Sequence, residues 1–185
     1  MKPCLRVPAF LCLATVLVVA AASATQVAYM SPQDLGQQSE LVFRGKVISV
    51  DSYWNSKHTK IFTRAQIATD ETYKGTPQSM VNVIQLGGTV GNVKVTVQGA
   101  LQWTPGEEIL LFAEPYDGFT YQVSGFSQGK FSVNRDPRTG TAYIQAPSTE
   151  GVSLLGAPSP AGPARIEGTQ RVPLERFVNQ ALGRR

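Results

Sequence analysis

Aromatic and basic residues are interleaved along one stretch of the chain, in a pattern that could bind a ligand. The candidate ligand or partner surface consists of Tyr53, Trp54, His58, Phe62 and Arg64. Aromatic rings on the open face of a small barrel can stack on bases or sugars, with basic side chains beside them. Aromatic residues also pack well in ordinary strands, so plain strand composition is the competing interpretation.

His58 is the only histidine and the first residue to consider for catalysis. Serines and aspartates are plentiful, so a Ser-His-Asp triad can be drawn on paper. We expect no Gly-x-Ser-x-Gly elbow to accompany His58, however, and the polar stretch around it favours a histidine in a surface loop. We therefore predict no catalytic residue and no enzyme activity, with a hydrolase as the remote alternative.

Cofactor and metal motifs are equally weak. The segment at 125–130 superficially resembles a phosphate-binding loop, but Phe131 replaces the metal-binding Ser or Thr and no helix is predicted to follow. We interpret it as a turn. Both cysteines, Cys4 and Cys12, lie close to the N-terminus, which leaves His58 without partners for a zinc site of the usual kind. No cofactor and no metal site is predicted.

Residues 1–24 have the three-part layout of a secretory signal peptide. Lys2 and Arg6 precede an apolar run at 7–22, and Ala22-Ser23-Ala24 supplies small residues for cleavage. A membrane anchor is the competing interpretation, but the run is short for a span of about 20 residues. We predict cleavage after Ala24, no stable membrane span afterwards, and secretion to the extracellular or periplasmic space.

The excess of basic residues does not belong to the body of the chain. The sequence has 17 basic and 13 acidic residues, but five of the basic ones are arginines that follow Ala164. Residues 25–164 therefore present no net basic face. We expect an extracellular protein or a glycan as the partner, rather than nucleic acid.

The first elements of the predicted fold are a short helix and a long strand. Ser31 can cap a helix, Pro32 suits its first position, and Gly36 is expected to keep it short. A strand follows at 39–50. Its internal Gly45 predicts a bulge or bend at which a side chain would collide with neighbouring backbone.

Period-two alternation and turn residues predict further short strands, typical of an all-β antiparallel barrel or sandwich. The first of these strands starts at 61, alternates through 68 and is ended by turn residues at 73–77. The others are 80–86, 93–97, 108–113, 121–125, 130–134 and 141–145. Residues 51–60 are expected to form a polar connection, and 87–92 a loop. We predict a β-barrel domain over residues 25–146.

The composition changes after this domain. Prolines and glycines at 147–169 predict a poorly structured linker. A C-terminal helix and basic tail are predicted at 170–185, with one apolar stripe along the helix. That stripe consists of Leu174, Phe177, Val178, Ala181 and Leu182. We favour a helix that packs back on the barrel, and the alternative is a helix that binds a partner.

Three segments carry a resemblance to a known family. They are SELVFRGKV at 39–47, ETYKG at 71–75 and PGEEILLF at 105–112. They resemble the netrin-like, or tissue-inhibitor-of-metalloproteinases-like, group of OB-type barrels, and also secreted bacterial proteins built from the same core. The resemblance implies a small antiparallel OB-like barrel outside the cytoplasm that binds proteins.

The resemblance does not extend to the inhibitory site. Inhibitors of that group direct an N-terminal cysteine, fixed by disulfides, at the zinc of a protease, whereas Thr25-Gln26-Val27 offers no such residue. We expect the stretch at 25–31 to be mobile. The sequence thus predicts a secreted non-enzymatic binding module, as a regulator or companion of an extracellular protease. An oligosaccharide- or nucleic-acid-binding barrel is the alternative.

Overall fold

The computed structural model describes residues 25–145, 152–157 and 171–184. The predicted signal peptide at 1–24, most of the predicted linker and the last residue of the basic tail lie outside the described residues. Within the described ranges, no helix is both long enough and apolar enough to cross a membrane.

Strands make up most of the regular structure in these ranges, so the protein is mainly β, as predicted. The two helices are α1, Pro32–Gln38, and α2, Leu174–Ala181. The strands are β1, Thr25–Ala28; β2, Leu41–Trp54; β3, Ile61–Lys74; β4, Met80–Leu86; β5, Gly88–Val90; β6, Val93–Val95; β7, Glu108–Pro115; β8, Tyr121–Val123; β9, Lys130–Arg135; β10, Ala142–Gln145; β11, Val152–Leu155; and β12, Val172–Pro173.

Five of the strands form a closed ring in the order β7-β2-β3-β4-β8, because β8 also pairs with β7. All neighbours in the ring are antiparallel except β4 and β8, which meet in parallel through the single pair Val83 and Tyr121. The edge of β7 that pairs with β8 also pairs, further along the strand, with β9, and the sheet continues from there through β10 to β12. The pairing of β4 with β8, which closes the ring, therefore consists of one residue pair.

The long hairpin of β2 and β3 extends further than the sequence predicts. Residues 51–54, expected to belong to a polar connection, continue β2 to Trp54, so the connection is only 55–60. Cross-strand pairs account for the correction. Asp51 lies opposite Arg64 and Tyr53 opposite Phe62, and such ionic and aromatic pairs stabilise strands.

Gly45 lies at the predicted close approach. The pairing register of β2 and β3 shifts between Arg44 and Gly45. A Cβ atom at Gly45 would lie 2.4 Å from the carbonyl oxygen of Ala68, much closer than real Cβ contacts. The prediction of a bulge that requires glycine is confirmed.

The core has two parts on the two faces of β7. Ile109 and Leu111 point into the ring, where they pack with residues such as Val47 and Ile67. Leu110 and Phe112 point outwards and are covered by α1 and α2. This double coverage explains why the predicted apolar run of β7 is buried throughout.

Helix α2 packs on the sheet, as its apolar stripe predicts. The ring of Phe177 lies 4.7 Å from that of Phe131 and 6.0 Å from that of Phe112. Gly36 has a different role from the one expected. Helix α1 continues through it, and a Cβ there would collide with the carbonyl of Ala181 in α2. Gly36 therefore permits close helix packing and does not end α1.

Three segments that we expected to be mobile or irregular contain strands, namely β1, β5 and β11. Val152–Leu155, within the predicted linker, is β11 and pairs in parallel with β1. The Gln128 side chain accepts a hydrogen bond from Met30 N (2.9 Å) and donates one to Ala28 O (2.8 Å). The expectation of a mobile stretch at 25–31 is therefore wrong. Gly88–Val90, expected in a loop, is β5 and pairs with β6.

Candidate binding groove

Three of the five predicted surface residues meet on one face of the β2–β3 hairpin. Tyr53 and Phe62 are direct cross-strand partners, and their rings stack with centroids 6.2 Å apart. The guanidinium carbon of Arg64 lies 5.5 Å from the centroid of the Tyr53 ring. Burial raises the pKa of Tyr53, so its phenol is neutral at ordinary pH.

The charge of Arg64 is already engaged within the protein. Its Nη2 and Nε atoms donate to the two carboxylate oxygens of Asp51 at 3.0 and 3.3 Å. This two-pronged pair holds the guanidinium over Tyr53. Arg64 is therefore a structural part of the hairpin and is less suited to contact a phosphate.

Trp54 and His58 form a separate pair. Strand alternation places Trp54 on the opposite face from Tyr53, and its ring stacks on that of His58 at 6.1 Å. His58 is exposed and has φ 53°, in the left-handed region. The Asn55 side chain holds this turn by accepting from Thr59 N at 2.8 Å and Lys60 N at 3.1 Å. His58 is thus a loop residue, and the five predicted residues do not form one surface.

Phe62 also belongs to a groove that the sequence did not reveal. This groove, of about 400 Å³, runs between the β3–β4 side of the ring and the β7–β8 side. Phe62 and Leu86 line one side, Glu114 and Tyr116 the other. The Phe62 and Tyr116 rings touch edge to face with centroids 6.2 Å apart. We call this site the groove.

The connection from β7 to β8 is fixed by Asp117. Its Oδ1 accepts hydrogen bonds from Phe119 N at 3.0 Å and from Thr120 N at 2.8 Å. These bonds lower the pKa of Asp117 and keep it ionised. Phe119 projects from the tip of the turn with 91% of its surface exposed. The aromatic residues at 116 and 119 around an Asp-Gly turn were the sequence signal that could have indicated this site.

The segment at 97–101 forms a further wall of the groove, and buried polar contacts hold it. Gln85 Nε2 donates to Leu101 O at 2.8 Å, and Lys130 Nζ donates to Gln102 O at 2.8 Å. Lys130 is buried, pairs with Glu107 at 2.8 Å, and lies 5.2 Å from the centroid of the Trp103 ring. The wall is therefore fixed to β4 and β9.

Phe126 lines the groove from an unusual backbone conformation. Its φ of 68° lies in the left-handed region, which bulky residues rarely adopt. Its ring remains 40% exposed, so burial alone does not explain the conformation. Outliers of this kind cluster at binding and catalytic sites.

Contrary to the expectation that no such motif accompanies His58, the sequence around Phe126 matches the Gly-x-Ser-x-Gly pattern as Gly125-Phe126-Ser127-Gln128-Gly129. A nucleophile elbow places an exposed serine between a strand and a helix. Here the segment joins β8 to β9, and Ser127 is buried. The context of an elbow is missing, and the predicted turn is what the structure shows. Among the described residues, no three His, Cys, Asp or Glu side chains are grouped so as to hold a metal ion.

Neither a protein-family model nor a curated protein sequence matches this chain. The netrin-like resemblance therefore stays a prediction. Its three segments do lie together, since residue 42 pairs with residue 74 on one side and with residue 112 on the other. These contacts belong to the sheet and lie outside the groove.

Proposed function

We propose that this protein is a non-enzymatic binding module whose groove holds an extended segment of a partner polypeptide. The ring is, on this proposal, an OB-like barrel of the netrin-like type. OB folds bind ligands on the face of their second and third strands, between the connections that follow strands one and four. The second and third strands of the ring are β3 and β4, and the corresponding connections are 55–60 and 116–120.

The position of the groove is the observation that carries the proposal. Phe62 of β3 and Leu86 of β4 line it from the strands, and Lys60 and Tyr116 line it from the two connections. The groove thus lies where an OB-type barrel would bind its ligand.

The character of the lining favours a polypeptide over nucleic acid. Aromatic and apolar side chains dominate it, and Tyr116, Leu86 and Phe126 are all partly exposed in the free protein. Interfaces between proteins are enriched in such residues, with polar groups at the rim. Nucleic-acid sites need several free basic side chains. Among the described residues, Lys60 is the single basic residue that lines the groove, and Arg64 is paired with Asp51.

Secretion is part of the same proposal. The N-terminal segment has the layout of a signal peptide, so the partner would be an extracellular or periplasmic protein. The netrin-like resemblance suggests a secreted protease that this module regulates or accompanies. Intact-mass measurement on exported protein tests the location, since cleavage after Ala24 should leave a chain without cysteine.

Selection from a random peptide library displayed on phage tests the binding function. Enriched peptides should shift the NMR signals of Phe62, Leu86 and Tyr116. Their affinity should fall about tenfold or more when Leu86 and Tyr116 are both changed to Ala, as expected for aromatic hot spots. Tyr143→Ala is the matched control. Tyr143 lies on β10, its ring is covered by the Arg171 guanidinium, and it does not line the groove. Peptides that shift only residues elsewhere would contradict the proposal.

An oligosaccharide is the second candidate ligand, favoured by the ring of Phe119. It is almost fully exposed, and exposed rings next to a barrel face can stack on sugars. A glycan array tests this candidate. Binding to a sugar that is lost in Phe119→Ala, without loss of peptide binding, would assign the turn to glycans.

A further inference from the structure

We infer that the groove contains a subsite for an arginine side chain of the partner, with Glu114 as its counter-ion and the aromatic rings as its stacking surface. The inference rests on the proposed function and names the residue type that the partner must present.

Glu114 is a partly buried carboxylate without a cation. One of its oxygens, Oε1, accepts a hydrogen bond from Gln122 Nε2 at 2.8 Å. A carboxylate can accept about four. Glu114 takes part in none of the ion pairs within 4.0 Å among the described residues. An incoming cation would therefore find acceptor sites that are not yet used.

Three other acidic residues of the strands and their connections have a cation of their own. Asp51 binds Arg64, Glu107 binds Lys130, and Glu108 binds Arg135. Each of these acids has a cation within 3.0 Å. In the described part of the chain, Asp117 and Asp136 lack one but accept hydrogen bonds from backbone N–H groups of their own turns, and Asp70, which also lacks one, is exposed. Glu114 is partly buried on the wall of the groove and has no cation within 4.0 Å among the described residues, so a cation from another molecule could fill this place.

The proposed arrangement, a cation between a carboxylate and an aromatic ring, already occurs twice within the protein. Arg64 pairs with Asp51 and lies over the Tyr53 ring at 5.5 Å. Lys130 pairs with Glu107 and lies over the Trp103 ring at 5.2 Å. In both cases a cation lies between a carboxylate and a ring, within the distance of about 6 Å at which a ring attracts a cation.

Glu114 and the groove rings provide the same set of groups without the cation. Tyr116 lies two residues after Glu114, just beyond the end of β7, and its ring meets that of Phe62 edge to face. Phe126 lines the groove as well. A side chain that enters the groove would therefore have a carboxylate and aromatic faces within the same cleft.

Arginine fits this set better than lysine. Its planar guanidinium can donate two parallel hydrogen bonds to a carboxylate while it stacks on a ring. Lys60, the basic residue that lines the groove, is exposed, and its positive charge would repel the arginine side chain of the partner. Removing the charge of Lys60 should therefore strengthen binding, whereas removing that of Glu114 should weaken it.

Three blocked peptides test the inference on the purified protein. They share the sequence Ac-Ser-Leu-Xaa-Leu-Ser-NH2, with arginine, its uncharged isostere citrulline, or lysine as Xaa. Calorimetry should show that the arginine peptide binds about tenfold more tightly than the citrulline peptide, as expected for a charge-assisted hydrogen bond. Glu114→Gln keeps an oxygen for Gln122 and should abolish that difference. Lys60→Gln should increase it, and Glu40→Gln, an exposed residue outside the groove, should leave it unchanged.

The outcomes separate the subsite from the function on which it rests. Equal binding of the arginine and citrulline peptides, with NMR shifts at Phe62 and Tyr116, would overturn the subsite and leave the groove as a peptide site. A preference for arginine that persists in Glu114→Gln would also overturn it. A lysine peptide that binds as tightly as the arginine peptide would contradict the choice of arginine. Absence of binding by all three peptides would count against both the groove and the subsite.

Discussion

The ring of Phe62 meets the ring of Tyr116 edge to face, with centroids 6.2 Å apart and an angle of 63° between the planes. Phe62 lies just after the β2–β3 connection, and Tyr116 begins the β7–β8 connection. This contact brings two distant parts of the chain to one end of the ring. The groove exists because these two connections lie side by side.

Gly45→Ala should destabilise the protein by about 1–3 kcal/mol, the usual cost of an overpacked site. The added Cβ would lie 2.4 Å from the carbonyl oxygen of Ala68, so the paired strand must move. Gly118→Ala is the matched control, because a Cβ there has no atom within 4 Å. Denaturant unfolding of both variants measures the difference, and equal stabilities would show that Gly45 is not a site of close approach.

Phe177→Ala should lower the free energy of unfolding by about 3–5 kcal/mol, as for other buried aromatic residues. Phe177 is 1% exposed, and its ring contacts those of Phe112 and Phe131. Phe119→Ala removes a ring of the same size from the surface and should change stability by less than about 0.5 kcal/mol. An unchanged melting curve for Phe177→Ala would instead indicate a helix that is free to bind a partner.

Lys130→Met should cost about 3 kcal/mol, because it leaves the Glu107 carboxylate without its cation in a largely buried site. Lys130→Met combined with Glu107→Leu should recover much of that loss, since replacing a whole buried pair by apolar residues is often neutral. Arg135→Met, which removes the more exposed partner of Glu108, is the comparison and should cost less than about 1 kcal/mol. A double variant no more stable than the single one would contradict this account.

The protein should lose stability at alkaline pH, because the pKa of Tyr73 is raised in the folded state. Burial, and then the nearby carboxylates of Glu175 and Glu71, raise the pKa of its phenol in the folded protein. The unfolded chain loses this proton near the usual pKa of about 10, whereas the folded protein keeps it. The ionisation of Tyr73 therefore does not change the free energy of unfolding below about pH 10. Above that pH it lowers the free energy of unfolding by at most about 1.4 kcal/mol per pH unit. Denaturant unfolding between pH 8 and 11.5 should show a shallower decline in Tyr73→Phe, and parallel curves would contradict the prediction.

Local sequence patterns determined most of the individual elements. Alternation of apolar residues predicted β3 from Ile61 onwards, and the run at 80–86 coincides with β4. Ser31 caps α1 with Asp34 in a reciprocal hydrogen-bonded box. Each of these depends on residues a few positions apart, because strand alternation, helix capping and an apolar stripe are properties of a single segment.

Tertiary structure decided which segments meet, and with it the groove. The sequence grouped Tyr53 with Trp54 in a connection. Pairing with β3 extends β2 through both residues and so turns their side chains to opposite faces of the hairpin. The sequence did not join Phe62 to Tyr116, Leu86 and Glu114, which come from separate strands and connections. It also assigned Val152–Leu155 to an irregular linker, because nothing in those residues specifies that β1 is their partner. Strand pairing between distant segments is chosen by the packing of the whole chain. The sequence could therefore point to the aromatic turn at 116–119, but not to the residues from other strands that complete the groove with it.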